Sequence, residues 1–485
     1  MLIRLRHDEE GIAMVVSLMV AFVVMLLATV ILGQAIHGSG RSAYGRNRLT
    51  AVSTAEAGLD YWYNYLQKTS PSSYTTSAIA GTVGSAPAVG TFTATPTFYT
   101  DSAGTAANTL IPPITSSNVP LSVKIKSTGT ANAITRTMES FITLRPIYGG
   151  FQGALIANSG ATFGGNFTVN GNSGNDADIF VLGTGAVFNV PSGLESIHGS
   201  IYVPAGSVGP PSGIGTQVHI YGQVWANGSV LVNHPGALID GNISSTTSSV
   251  TVSSGAVAGN AYYCTGSAPS NVTGTKNSTC TLGPPPTQSF PQVTYVQSAW
   301  VSAGYTNFQT FSDCTAARNY VESTGAYAAT GFSGHNVGNT VVRITPGCEY
   351  ENSNNATITM NNNLAIITDG EINLSQQSNW NGVSPLKDLF MISTWPAATC
   401  PASGTAGSHN ITFGNLTQTN NLVETFVYTP CTASMNNNNS SFTGQVIGTT
   451  LSIGNNFQEN YKPIVVPGAN LTGYNQDIAY IREVA

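Results

Sequence analysis

Apolar and polar positions follow three successive patterns along the chain. The first is a stretch without formal charge from Ile12 to Ile36, 25 residues interrupted only by Ser17, Thr29, Gly33 and Gln34. Wound as a helix at ~1.5 Å per residue it measures roughly 37 Å, enough to cross a ~30 Å hydrocarbon core. A secretory signal has a shorter apolar core followed by a small-residue cleavage site. Here the helical pattern runs on: Leu49, Val52, Ala55, Leu59, Trp62 and Leu66 recur three or four apart, one apolar stripe of an amphipathic helix. The spacing predicts a helix over residues 12–68, lipid-facing in its first half and half-buried in its second. Gly38 and Gly40 are the expected place for a kink or break.

The second pattern has period two. Leu121 to Lys126 and Thr135 to Leu144 alternate apolar and polar residues, which predicts two half-buried strands joined by a turn at Ser127 to Asn132. With the Ser/Thr/Ala/Gly-rich stretch before them they make a small β domain over 69–148, bounded by Pro146, Gly149 and Gly150. The third pattern begins at Phe151: short apolar pieces, each closed by Gly or Asn, such as Ala154–Gly160, Asp178–Gly185 and Ala186–Gly193. Closely spaced short strands with Gly-Asn turns and few helices predict a parallel β-helix body over 149–485, with a closed β-sandwich as the alternative. Stacked coils also account for the Asn runs Asn361–Asn363 and Asn436–Asn439. Gly283 to Pro286 interrupts the pattern and Thr315 to Glu322 reads as a short helix, so a helical excursion is expected around 284–350. The expected fold class is mainly β: a long N-terminal α-helix, a small sheet and a large parallel β-helix.

Only 8% of the 485 residues are charged, 16 Lys and Arg against 22 Asp and Glu, for a formal net charge of −6. That supplies no basic field for phosphate neutralisation, so no nucleic-acid partner is expected. The 41% hydrophobic content excludes a highly charged, solvated coil. A sparsely charged body of this kind fits an exported surface whose contacts rest on hydrogen bonds and shape. The flanking cations point the other way. Arg4 and Arg6 precede the apolar run, whereas Arg41, Arg46 and Arg48 follow it, a slight positive-inside bias toward a cytoplasmic body. The body's composition and cysteines outweigh that bias, and the expected topology is a single span of the inner membrane with the body outside.

The N-terminal segment resembles that of a type IV prepilin, most of all the PilX-type minor pilins. The resemblance rests on a short charged leader, Met1 to Gly11, on the apolar helix from Ile12, and on the segment Ala55-Glu56-Ala57-Gly58. It implies cleavage by a prepilin peptidase between Gly11 and Ile12, N-methylation of Ile12, and assembly with other pilins through the helix. Major pilins usually carry Glu at the fifth mature position; here that position is Val16, as in many PilX-like members, which argues against a major subunit. The strand, Ser-Thr-Gly turn and strand before Pro146 are similar to the closing hairpin of pseudopilin and PilX-like heads. The last part of the chain resembles the terminal coils of β-helix domains attached to PilX-type N-termini. By this resemblance the chain is a membrane-anchored minor pilin or pseudopilin with a large exposed head for adhesion or filament priming, able to meet a surface or a glycan.

Candidate chemistry is sparse. Six cysteines, Cys264, Cys280, Cys314, Cys348, Cys400 and Cys431, all lie in the body. Sequence alone admits many pairings, and loop closure favours neighbours: Cys264–Cys280, Cys314–Cys348 and Cys400–Cys431, in an oxidising compartment. No CxxC pair is present and the seven histidines are scattered, so neither a metal nor a cofactor is expected. Asp176 and Asp178 read as a polar turn before a calcium site, and Asp369 and Glu371 likewise. His198, His219 and His234 fall at intervals suited to a column on one face, although partly exposed polar positions explain them as well. No nucleophile–base pair stands out, and catalysis is not expected. Two rivals remain: a membrane-anchored adhesin unrelated to pili, and an anchored glycan-degrading β-helix enzyme, which needs paired carboxylates.

Overall fold

The computed structural model describes residues 4–69, 74–84, 90–110, 120–171, 176–209, 213–280, 282–323, 338–345, 349–374, 377–395, 400, 408–414, 417–435, 440–454, 456–469 and 471–484. Cys348 and Asn436–Asn439 lie outside them. The chain divides into two compact units. One comprises Met1–Ile147 with Thr472–Ala485, the other Tyr148–Leu471.

The first unit is built on α1, Arg4–Lys68, a single helix of 65 residues. It starts within the charged leader and passes Gly38 and Gly40 without the expected break. A glycine costs a helix about 1 kcal/mol but keeps its N–H, and the segment holds no proline to remove one. The C-terminal half of α1 lies on an antiparallel sheet: β1 (Ile79–Val83), β2 (Gly90–Tyr99), β3 (Thr109–Leu110), β4 (Ser122–Ala131) and β5 (Ile134–Tyr148), in the order β1-β2-β4-β5 with β3 beside β2. Ala51, Ala55, Leu59, Trp62 and Leu66 are buried against it, and the Trp62 indole donates to the Ala94 carbonyl at 3.2 Å. The stripe therefore starts at Ala51; Leu49 is 69% exposed.

The β4–β5 hairpin is tighter than its sequence suggests. Ser127 to Ala131 continue β4, and the turn is only Asn132 and Ala133, at φ 45° and 66°. Both signs are positive, as in the two-residue turns that match strand twist. Gly129 is in the strand because the helix comes close: a Cβ there would lie 2.2 Å from the Ala51 carbonyl oxygen and 2.4 Å from the Ala55 nitrogen.

The sheet is completed from the other end of the chain. The strand Leu471–Val484 lies beside β5, so the expected body of 149–485 stops at Leu471 and the last residues belong to the small sheet. Tyr480 stacks on Phe141 with ring centroids 5.9 Å apart, and the Arg482 guanidinium reaches Glu139 at 2.7 Å. The body is thus an insertion before the final strand of that sheet.

The body is a parallel β-helix, and a sandwich is excluded because each strand pairs in parallel with one a coil away. One column of register partners runs Lys276, Ala261, Ile243, Val224, Ile201, Ile179, Leu155, Val446, Val427, Met391, Ile366, Val342, Gln309, buried from Ala261 to Val342. Its order shows the path of the chain. From Leu155 the coils stack outward to Lys276; the chain then crosses to the opposite end, re-enters at Asn307 and winds back until Val446 pairs with Leu155. Entry and exit meet in the middle, where Gly150 bridges Val465. This is what lets a long insertion return its ends to one small sheet.

The expected helical excursion is that crossing. It contains α2 (Gln297–Ser302) and α3 (Cys314–Glu322), but also two solenoid strands, Asn307–Phe311 and Thr340–Ile344. Val293, Trp300 and Tyr305 cover the outer face of the second stack, over Val341, Ala365, Phe390 and Tyr428, giving the body a second apolar layer outside its core.

A glycine column permits the tight stacking. Gly199, Gly222, Gly241, Gly259 and Gly274 follow one another coil by coil, and a Cβ on any of them would come within 2.2–2.5 Å of a carbonyl oxygen in the coil before. The next residue in each coil forms a polar ladder. Ser200 N donates to Asp178 Oδ1 (2.7 Å), Gln223 N to Ser200 Oγ (3.2 Å), Asn260 N to Asn242 Oδ1 (2.9 Å) and Thr275 N to Asn260 Oδ1 (2.9 Å).

Candidate functional site

Two surfaces stand out. The first is the N-terminal half of α1. Its large apolar side chains from Ile12 to Ile36 are 52–69% exposed, from Leu26 to Met19 and Met25. Its most apolar 18-residue window has a mean hydropathy of 3.0 and none of it is buried. A face this large left to water would cost far more than it stabilises, so it marks a contact with lipid or with other apolar helices. The hydroxyls in the run and just past it are satisfied by the helix itself: Ser17 Oγ donates to the Met14 carbonyl (2.8 Å), Thr29 Oγ1 to Leu26 (2.8 Å) and Ser39 Oγ to Ile36 (2.9 Å). Gly11 and Ile12 sit in the early turns of α1, and Ile12 is 65% exposed.

The second surface is an outward face of the β-helix. Strands Phe167–Asn170, Leu194–Ile197, Gln217–Ile220 and Val230–Ile239 present their outward side chains in register, with Ser196 between Thr168 and His219. A groove of about 360 Å³ lies there, lined by Thr168, Leu194, Ser196, Gln217, His219 and Leu238. Beside it His198 and His219 both stack on Tyr221, at 4.1 and 3.9 Å between centroids. His219 Nε2 lies 3.0 and 3.1 Å from the two Asp240 oxygens. Burial and the neighbouring His219 hold the His198 imidazole below its ordinary pKa. His198 and His219 therefore do share a face, as their spacing suggests. His234 does not join them; its Nδ1 accepts the Gly236 N–H at 3.1 Å. The His198–Tyr221 and His219–Asp240 contacts join residues about a coil apart in sequence, which only the coil register brings together.

The remaining candidates are accounted for structurally. Cys264 bonds Cys280, Cys400 bonds Cys431, and Cys314 is disulfide-bonded. Asp178 belongs to the polar ladder, and burial raises its pKa. Asp369 is paired with Arg343 and accepts from the Thr394 hydroxyl. Burial pushes that carboxyl up, but the guanidinium and hydroxyl outweigh it and hold its pKa below the ordinary value. Nearby, Ser393 Oγ lies 3.0 Å from His409 Nδ1, a pair that invites a nucleophile reading. Ser393 is fully buried and its hydroxyl is 2.8 Å from the Gly370 carbonyl, so no substrate reaches it. Among the described residues no three His, Cys, Asp or Glu side chains gather as metal ligands.

Fold and surfaces together define a class: an exposed apolar helix, continuous with a helix-on-sheet unit into which a β-helix is inserted. No protein-family model matches the chain, and no curated protein matches it. Among solved structures, the crystal structure of the competence-associated pilin ComZ from Thermus thermophilus is matched at 12% identity, over 90% of this chain and 97% of that one, with a TM-score of 0.27. A likeness that loose carries no functional weight, and function is argued from the chain's own geometry.

Proposed function

We propose that this chain is a pilin-like subunit, made as a membrane-anchored precursor and assembled through α1 with other helices of its kind. The observation that carries the reading is the division of one continuous helix into an unburied apolar half and a half packed on a small sheet. An anchor alone needs only the first half. A helix running unbroken from span to sheet transmits the position of the head to whatever bundle the apolar half enters. Val16 in place of an acidic side chain fits a minor rather than a major subunit. On this reading a prepilin peptidase cuts between Gly11 and Ile12, Ile12 is N-methylated, and the head stays outside the cell at the pilus or cell surface. The body acts by binding, in adhesion or filament priming; the groove at His219 and Tyr221 supplies hydrogen-bonding and stacking groups.

Mass spectrometry of the mature N-terminus tests the reading. An N-terminus at methylated Ile12, lost when Gly11→Val blocks processing, is the expected result. An intact leader in the mature wild-type protein leaves the anchored adhesin as the better account.

A further inference from the structure

We propose that α1 carries a binding site for the phosphate of an anionic phospholipid headgroup, formed by His37, Arg41, Tyr44 and Arg48. The inference rests on the reading of Ile12–Ile36 as a membrane span. The four residues are spaced 4, 3 and 4 apart. At ~100° per residue they fall within an arc of roughly 60°, a narrow stripe about 16 Å long. Arg46 projects from the opposite side of the helix, about 180° from His37 by the same arithmetic. The stripe begins one residue after the uncharged run ends, which sets it at the depth of the headgroups.

Three observations make this stripe more than a scatter of cations. Between Ile12 and Ala55 the chain has no Asp or Glu at all, so the helix itself brings no negative charge to the stripe. A cleft of about 510 Å³ lies along it, lined by Ile36, His37, Gly40, Arg41 and Tyr44. At Gly40 the cleft is open to its surroundings, with nothing within 4 Å of where a Cβ would stand. The sheet supplies a further guanidinium: Arg136 Nη2 lies 3.4 Å from the Tyr44 hydroxyl. The nearby carboxylate, Glu483, is shared by Arg48 at 3.5 Å and Arg136 at 3.3 Å. Arg41, facing the cleft, has no ion pair among the described residues. A guanidinium beside a tyrosine hydroxyl, at the edge of an apolar span, is matched by a phosphodiester whose acyl chains follow the span.

Native mass spectrometry of the full chain, released from nanodiscs of phosphatidylcholine with phosphatidylglycerol as the minor lipid, tests the site. Phosphatidylglycerol is expected to be retained above its bulk fraction. Arg41→Gln and Arg48→Gln should each lower that retention about fivefold, the loss of one cation near a charged surface, while Arg46→Gln leaves it unchanged. Arg41→Gln breaks no pair, so it tests the site even where Arg48→Gln disturbs folding. Equal losses in all three variants, or retention at the bulk fraction by wild type, overturn the site. Displacement of the lipid by millimolar inorganic phosphate assigns the cleft to a free anion, and a lipid-independent dimer lost in Arg41→Gln assigns it to a second copy; either overturns the proposal. Carbonate extraction of the same samples separates the two levels. A chain that washes off the membrane removes the span itself, whereas one that stays in without lipid preference removes only the site.

Discussion

The small unit and the β-helix bury the same kind of strand by opposite means. In the small unit a helix covers one face of an antiparallel sheet, and contact is as close as Gly129 permits against Ala51 and Ala55. In the body the sheet covers itself: inward columns such as Leu155, Ile179 and Ile201 pack against the facing walls, and closeness is set by a column of glycines. One unit concentrates its demands on a few side chains, and the other spreads them over repeated, nearly equivalent positions. A change at one point should therefore act differently in the two.

The sharpest contrast is expected at Trp62, fully buried at the centre of the helix–sheet contact. Trp62→Ala should cost the small unit about 3–5 kcal/mol. Hydrogen exchange should show its amides opening while the body's core amides keep their protection; equal loss in both units would break the comparison. Next comes Gly241→Ala, whose Cβ would lie 2.5 Å from the Gly222 carbonyl oxygen. Prying one coil from its neighbour should cost about 1–3 kcal/mol, read as a lower denaturation midpoint of the body with the fold retained. A neutral effect would mean that the coils are spaced more loosely than the column requires.

The smallest effect should be a gain. Glu459 points into the body core between Phe442 and Val169, fully buried, and neither carboxylate oxygen has a hydrogen-bond partner. Burial raises its pKa well above the ordinary carboxylate value, which favours the protonated form in the folded body. Above the unfolded pKa of about 4.3 the unfolded chain releases this proton and the folded one does not. The body therefore loses stability as pH rises from there toward the folded pKa. Glu459→Leu should remove that part of the pH dependence and add about 1–2 kcal/mol at neutral pH. Thermal melts of both proteins across the acid-to-neutral range check it. Parallel pH profiles would show that Glu459 finds a partner in solution.

Several features were legible from residue order because their physics is local. The apolar run, the stripe through Ala55, Leu59, Trp62 and Leu66, and the alternation from Leu121 and from Thr135 each reflect the environment of one element. The disulfides Cys264–Cys280 and Cys400–Cys431 follow from short loops, 16 and 31 residues, that close readily. Misreadings arose where composition stood in for geometry. Ser127 to Ala131 look like a turn, yet they are strand, because small residues there serve the approach of α1 and not chain reversal. The groove was half visible: the spacing suggested a column of His198, His219 and His234, of which the first two share a face, while Tyr221 and Asp240 were not anticipated.

What the sequence determined by itself, then, is the kind of element at most positions: one long helix, apolar and then amphipathic, a hairpin, and many short strands closed by Gly and Asn. What only the tertiary structure decided is which strands are neighbours. Successive coils in the first stack, from Leu155 through Ile179, Ile201, Val224, Ile243 and Ala261 to Lys276, differ in length, so no fixed period marks them. Their register is held by backbone hydrogen bonds, which every residue but proline offers alike. The return of the second stack to Leu155, and of Leu471–Val484 to β5, joins residues far apart in the chain through those same indifferent groups. Side-chain pattern chooses a strand's inner face; the closure of the whole solenoid chooses its partner.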